Sequence, residues 1–134
     1  MSLALCKVGS RLSRCSNLSL DTCQYCGRPF CAAHTFFREG HEAVCTTRGC
    51  QRKQEDLMAH HGYRTRVLQR NGVGLCGVEE CEPHPRLECS LCQGHFCERH
   101  VSERYYPFRD GLVRIERPVS ICQWCWARRK IWRR

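Results

Sequence analysis

The chain has 134 residues, a formal net charge of +9 and 14 cysteines. Cysteine at this density marks a disulfide framework or a set of metal sites, and the length allows one ordinary domain or two very small ones. No run approaches the ~18 apolar residues of a membrane span, and the low mean hydropathy leaves little for a large core.

The N-terminal stretch MSLALCKVGSRLSRC has no apolar segment of signal-peptide length before Lys7. Its LALC sequence has a lipoprotein look, but the wrong residue precedes Cys6 and no apolar segment leads to it. The expected location is therefore cytoplasmic. Thiols stay reduced there, and close cysteine pairs read as metal ligands rather than disulfides.

The next element is a repeat. CQYCGRPFCAAH at 23–34 returns as CSLCQGHFCERH at 89–100. Both are C-x2-C-x4-C-x2-H with a phenylalanine, Phe30 or Phe96, before the third cysteine. The offset of 66 residues also holds for Cys15 and Cys81. Each block is flanked by further pairs. Repeat one reads Cys6, Cys15, then Cys23, Cys26, then Cys31, His34, then Cys45, Cys50. Repeat two reads Cys76, Cys81, then Cys89, Cys92, then Cys97, His100, then Cys122, Cys125. Fourteen cysteines with His34 and His100 make sixteen potential ligands. Structural zinc takes four ligands, so four Zn²⁺ are expected, two per repeat, with no cysteine left over. Thiolate is a soft ligand that suits zinc, and neutral imidazole can replace one thiolate without opening the tetrahedron. His41 remains an alternative ligand in repeat one. His60, His61, His84 and His95 read as solvated or packing residues.

Each C-x2-C block predicts a knuckle and short hairpin, with Gly27 suited to the positive φ of such a turn. A helix often starts near the third pair of such a block. Residues 50–61 predict a helix, ended by Gly62. YRTRVLQR at 63–70 alternates ahead of Asn71-Gly72, a strand and turn signal. GLVRIE at 111–116 alternates too. Ile121, Trp124, Cys125 and Trp132 form a helical stripe, so a terminal helix docked on the last site is expected. The expected division is a zinc module at 1–50, a helical and strand linker at 51–75, and a second zinc module with a basic C-terminal helix at 76–134.

Four ligand pairs with a central C-x2-C-x4-C-x2-[C/H] resemble the FYVE type of zinc finger, a cross-brace treble clef. RPVSICQWC at 117–125 is similar to the last ligand pair of that family. The resemblance covers about 50 residues in each half and implies interleaved sites. Pairs one and three would share one ion, and pairs two and four the other. That gives Cys6, Cys15, Cys31 and His34, then Cys23, Cys26, Cys45 and Cys50. In repeat two it gives Cys76, Cys81, Cys97 and His100, then Cys89, Cys92, Cys122 and Cys125. The fold class implied is a small α+β, zinc-stabilised chain of two tandem cross-brace treble-clef modules with a C-terminal helix. Two departures stand out. Phosphoinositide-binding FYVE domains carry a basic, His-rich run before the third ligand. Here those stretches are NLSLDT and EPHPRLE, so headgroup recognition does not carry over. The first ligand pair is also wider than in that family. RING-type ubiquitin ligases share the cross-brace but place the histidine in another pair, and a shared fold does not establish activity.

Four closed sites leave no open coordination position for catalysis, and no phosphate loop, nucleophile elbow or zinc-deaminase signature appears. A non-enzymatic binding module is expected, with a protein partner in a larger assembly as the first reading. The second is RNA or DNA binding through Arg128, Arg129, Lys130, Arg133 and Arg134 among Trp126 and Trp132, where guanidinium forks grip phosphates and aromatic rings stack on bases. Arg52, Lys53, Arg64, Arg66 and Arg70 would extend that surface. A RING-like ubiquitin-pathway factor is a third reading. Membrane binding is the least favoured.

Zinc changes the charge. Fourteen thiolates add fourteen negative charges and four Zn²⁺ add eight positive ones, which lowers the formal +9 to +3. The basic character then belongs to 51–75 and 128–134, while 76–127 is acidic.

Overall fold

The C-x2-C motifs close as knuckles, and they close the same way twice. In the computed structural model, which describes residues 4–9 and 15–132, the Cys23 amide donates to Arg28 O and the Gly27 amide to Cys23 O, both at 2.9 Å. The Cys89 and Gln93 amides make the same two bonds, to Gly94 O and Cys89 O, at 2.9 Å. Short strands flank each knuckle. They are β1 (Asp21–Thr22) with β2 (Pro29–Phe30), and β5 (Leu87–Glu88) with β6 (His95–Phe96). A hairpin follows each, β3 (Thr35–Glu39) with β4 (Glu42–Cys45), and β7 (Val101–Asp110) with β8 (Val113–Cys122). A helix follows each hairpin, α1 (Arg48–Gly72) and α2 (Gln123–Trp132). The fold is thus α+β, with two-stranded antiparallel sheets and two helices among the described residues.

Contacts divide the chain into two units, Met1–Met58 and Ala59–Arg134, and the division falls inside α1. Phe30 and Phe96 are fully buried, each at the centre of its own unit's core. Around Phe30 lie Val8, Val44 and cysteines. Around Phe96 lie Val67, Ile121 and cysteines. Apolar cores this small rarely stabilise a fold unaided.

The linker departs from expectation. Gly62 does not end the helix, and 63–70 is helical rather than extended. Tyr63, Val67 and Arg70 recur at helical spacing, and tertiary contacts in the second unit hold them. Tyr63 stacks on Trp124 with ring centroids 4.5 Å apart, Val67 is buried, and Arg70 donates to Cys76 O at 2.7 Å and Cys81 O at 2.6 Å. These gains exceed the ~1 kcal/mol that a mid-helix glycine costs. The helix ends in a Schellman cap. Gly74 takes φ +78, its amide donates to Asn71 O at 3.0 Å, and the Leu75 amide donates to Arg70 O at 3.0 Å. The Asn71 side chain then pins the helix end to β6, donating to His95 O at 2.8 Å and accepting from His95 N at 2.9 Å.

Two glycines let the helix land there. A Cβ on Gly77 would lie 2.9 Å from Val67, and one on Gly94 would lie 2.6 Å from it. The matching positions in repeat one are Lys7 and Arg28. Lys7 N–H bonds to Pro29 O as Gly77 N–H bonds to His95 O. Side chains stand in the first repeat where the second leaves room for a helix.

The second hairpin is the other difference. GLVRIE is only partly strand: Gly111, at φ +63, and Leu112 form the two-residue turn, and β8 starts at Val113. A glycine at the first loop position suits a II′ turn. The partner strand over 101–110 had no alternating signal because Tyr105, Tyr106, Pro107 and Phe108 run together.

Gly27 and Gln93 occupy the same knuckle position, with φ +72 and +61. Left-handed backbone costs a non-glycine residue about 1 kcal/mol. Gln93→Gly should therefore raise the stability of the metal-loaded chain by about 1 kcal/mol, and Gly27→Gln should lower it by a similar amount, both measured as shifts in urea midpoint.

Candidate metal centres

Four groups of side chains converge. They are Cys6, Cys15, Cys31 and His34; Cys23, Cys26, Cys45 and Cys50; Cys76, Cys81, Cys97 and His100; and Cys89, Cys92, Cys122 and Cys125. Within each group the ligand atoms all lie within 4.8 Å of one another. In both units the first pair meets the third, and the second meets the fourth. His41 is in none of the groups and is exposed in the β3–β4 turn.

Local structure aims these side chains. The knuckles present Cys23 with Cys26 and Cys89 with Cys92. A 3-10 turn at Ala32–His34 presents Cys31 and His34, closed by a 3.1 Å bond from the His34 amide to Cys31 O. The His100 amide makes the same bond to Cys97 O at 3.1 Å. The last pairs come from the end of a hairpin and the first turn of a helix. Cys50 is the third residue of α1 and Cys125 the third of α2, where the helix dipole favours a thiolate.

The spacings fit a tetrahedral ion. Metal–sulfur bonds of about 2.3 Å give a sulfur–sulfur edge of about 3.8 Å, and a disulfide needs about 2.05 Å. The observed sulfur separations are 3.6 Å for Cys15 and Cys31, 3.6 Å for Cys81 and Cys97, 3.8 Å for Cys26 and Cys45, and 3.9 Å for Cys92 and Cys122. All fourteen cysteines are free. The histidines turn Nδ1 inward, at 3.5 and 3.3 Å from Cys6 and Cys31 sulfur, and at 3.5 and 3.2 Å from Cys76 and Cys97 sulfur. With a metal–nitrogen bond of about 2.05 Å the corresponding edge is about 3.5 Å.

Outer donors prepare the sulfurs for negative charge. The Cys97 amide points at Cys76 Sγ at 3.3 Å, the Cys122 amide at Cys89 Sγ at 3.4 Å, and Tyr63 donates its hydroxyl to Cys122 Sγ at 3.4 Å. Crowding splits the thiols. In the most buried group, hydrogen bonds from Cys122, Cys125 and Cys92 hold Cys89 far below the ordinary thiol range. The other side of that bargain is Cys125, pushed up by hydrogen bonds with Cys122, Cys89 and Cys92. Burial works against the Cys31 thiolate, but the Asn17 amide, His34 and Cys15 bring it down to about 6. Lowered and raised thiols thus sit side by side in every group, as with Cys31 and Cys15, Cys23 and Cys26, Cys97 and Cys81, and Cys89 and Cys92, and a bound cation would remove the conflict by taking the protons' place.

No protein-family model, curated protein or solved structure matches the chain. The match of one repeat to the other, in bond pattern and in ligand geometry, is the comparison that informs these sites.

The candidate partner residues fare differently. Two guanidiniums lie over the Trp126 ring, Arg129 at 3.6 Å and Arg104 at 4.8 Å from its centroid. Arg129 also donates to Trp126 O at 2.8 Å. Arg104, whose position in the chain did not single it out, joins the tail residues through cross-strand geometry. Arg70 is committed to backbone carbonyls, and Arg66 faces Glu79 at 4.0 Å. Lys130 is exposed, and Arg128 and Trp132 are half-buried. Arg52 and Arg64 are exposed, and Lys53 is half-buried, 6.0 Å over the Tyr25 ring. Arg133 and Arg134 lie outside the described residues. Of the other histidines, His60 accepts from Trp124 Nε1 at 3.1 Å, and His61, His84 and His95 are exposed. No described helix is long and apolar enough to cross a membrane.

Tyr63→Phe removes one donor to sulfur and should weaken metal binding at the Cys89, Cys92, Cys122 and Cys125 group about tenfold, read by competition with a chromophoric chelator. Affinity at all four groups should fall as pH drops from about 8 to about 6, because protons compete for the sulfurs and imidazoles, and the same titration measures it.

Proposed function

We propose that this chain is a non-enzymatic interaction module whose two units are each held by two structural zinc ions. The observation that carries this reading is the convergence of all sixteen Cys and His side chains into four complete ligand sets. Four protein ligands close a tetrahedral shell and leave no position for a reactive water. Two of the sets are Cys3His, a mixture that suits zinc better than an iron site built for four thiolates. The succession of knuckle, hairpin and helix, with ligands on the knuckle and the helix's first turn, supports a treble-clef reading. The interleaved order supports a cross-brace of the FYVE type, without that family's basic lipid-binding run.

The first partner class is protein. Unit one leaves Leu5, Leu18 and Leu20 about half exposed. Leu5 and Leu18 form an isolated antiparallel bridge, so these side chains share one region rather than scattering. A rigid zinc-held module offering such a surface suits an adaptor in a larger assembly.

The second class is nucleic acid, favoured by a different observation in unit two: Arg104 and Arg129 converge on Trp126, which fixes guanidinium forks in place.

Metal analysis of the purified chain should give about four zinc per molecule, and a value near two would remove half of the ligand sets. Cys26→Ser and Cys92→Ser should each lower the zinc content and unfold the unit that carries it. Affinity capture with and without nuclease separates the partner classes. Partners that survive nuclease and high salt support the adaptor, and partners lost to either support the nucleic-acid reading.

A further inference from the structure

Beyond its base at Cys122, the hairpin of β7 and β8 is the part of repeat two that the zinc sites do not require. Its strands run ten residues each, against five and four for β3 and β4. Ten residues extend about 33 Å. The base of the ribbon is buried at Val101, Ile121 and Cys122, next to the ligands, and the rest is half-buried or exposed.

The register sorts its side chains. Arg104 pairs with Val119, Tyr106 with Arg117, and Phe108 with Ile115. Alternation places these three pairs on one face, together with Ile121. The Tyr106 and Phe108 rings touch there, 5.4 Å apart and tilted by 58°. Helix α2 meets the same face. Arg104 and Arg129 both reach over the Trp126 ring. Burial pushes the Tyr106 phenol up, and the charges of Cys125 push it the same way, while Arg128 and Arg129 beside it pull it down.

Arg104, Arg117 and Arg129 therefore gather around one aromatic strip. Among the described residues, no carboxylate lies within 4.0 Å of Arg104, Arg117 or Arg129. Glu103 and Glu116 belong to pairs on the opposite face, Asp110 is at the far tip, and α2 contains no acidic residue. Like charges gathered this way repel one another. An anion that repeats along a chain relieves the repulsion, and arginine forks match phosphate geometry.

We propose that this face of β7, β8 and α2 binds single-stranded nucleic acid, with the arginines on successive phosphates and bases against the Tyr106 and Phe108 strip. The proposal rests on the nucleic-acid reading above and gives it a surface. A single strand fits better than a duplex because stacking on protein rings needs unpaired bases. Forks and ring faces do not read the 2′-hydroxyl, so RNA and single-stranded DNA of one length should bind alike.

The test is fluorescence anisotropy of a labelled mixed-sequence oligonucleotide with the zinc-loaded full chain over a salt series. The wild type should bind single strands more tightly than the matching duplex. Arg104→Gln/Arg117→Gln should weaken binding about tenfold and make the log–log salt slope shallower by about 1.4, two phosphate contacts at about 0.7 each. Arg117→Gln alone leaves the Trp126 stack intact and should make the slope shallower by about 0.7. Arg109→Gln/Arg114→Gln removes the same charge from the opposite face, where those residues pair, and should stay within about threefold of wild type. Zinc content confirms that each variant is folded. If the two double variants weaken binding equally, or Arg104→Gln/Arg117→Gln leaves it unchanged, this surface is wrong while the nucleic-acid reading stands. Absence of binding at low salt, or binding of polyglutamate in place of oligonucleotide, overturns both. Duplex bound as tightly as single strand overturns the stacking geometry and with it the proposal.

Discussion

Everything in this fold hangs on four-way convergence of thiol and imidazole side chains. A chain of 134 residues divided into two units buries too little apolar surface to order itself by that means alone. Each core has one phenylalanine at its centre and is otherwise built largely from cysteines. A cation would balance the four sulfurs, or three sulfurs and a ring nitrogen, that share so small a space, since thiols so close divide into some held low and others pushed up. The interleaving adds rigidity. Because the first pair meets the third and the second meets the fourth, neither site of a unit can form without drawing the other's ligands near.

The two repeats share this machinery and differ in what it carries. Knuckle, turn and ligand distances agree to within about 0.1 Å across the pairs of bonds compared. The differences lie outside the ligand sets. Gly77 and Gly94 clear a surface that Val67 fills, and Lys7 and Arg28 stand at the matching places of repeat one. The second hairpin is longer and exposes Tyr105, Leu112 and Val113. Repeated Cys/His frameworks of this kind tolerate such change because the converging side chains hold the backbone whatever the surface does.

Charge follows the same logic. The formal +9 would overstate the protein's attraction for anions once the sixteen side chains hold divalent ions, since fourteen thiolates outweigh four such ions. What matters is placement. Of the tail arginines, Arg129 lies over the Trp126 ring, and Arg104 of β7 lies over the same ring. The indole acts as a post for guanidiniums rather than as a platform for a ligand.

The sequence alone disclosed the repeat, the sixteen Cys and His side chains that converge, the α+β class, the terminal helix and the positive-φ turn at Gly27. Ligand spacing is a local property, and a C-x2-C knuckle closes through bonds among neighbours, so short-range reading suffices. The grouping of pairs came from resemblance rather than from spacing. Tertiary structure decided the rest. The 63–70 segment is helical because Tyr63, Val67 and Arg70 find partners in residues 76–124, and no pattern within eight residues contains those partners. Gln93 carries a left-handed turn that its residue type does not announce. Arg104 and Arg129 meet over a ring 22 and 3 positions away from them, a neighbourhood that exists only once β8 has turned back along β7 and α2 has been anchored through Cys125.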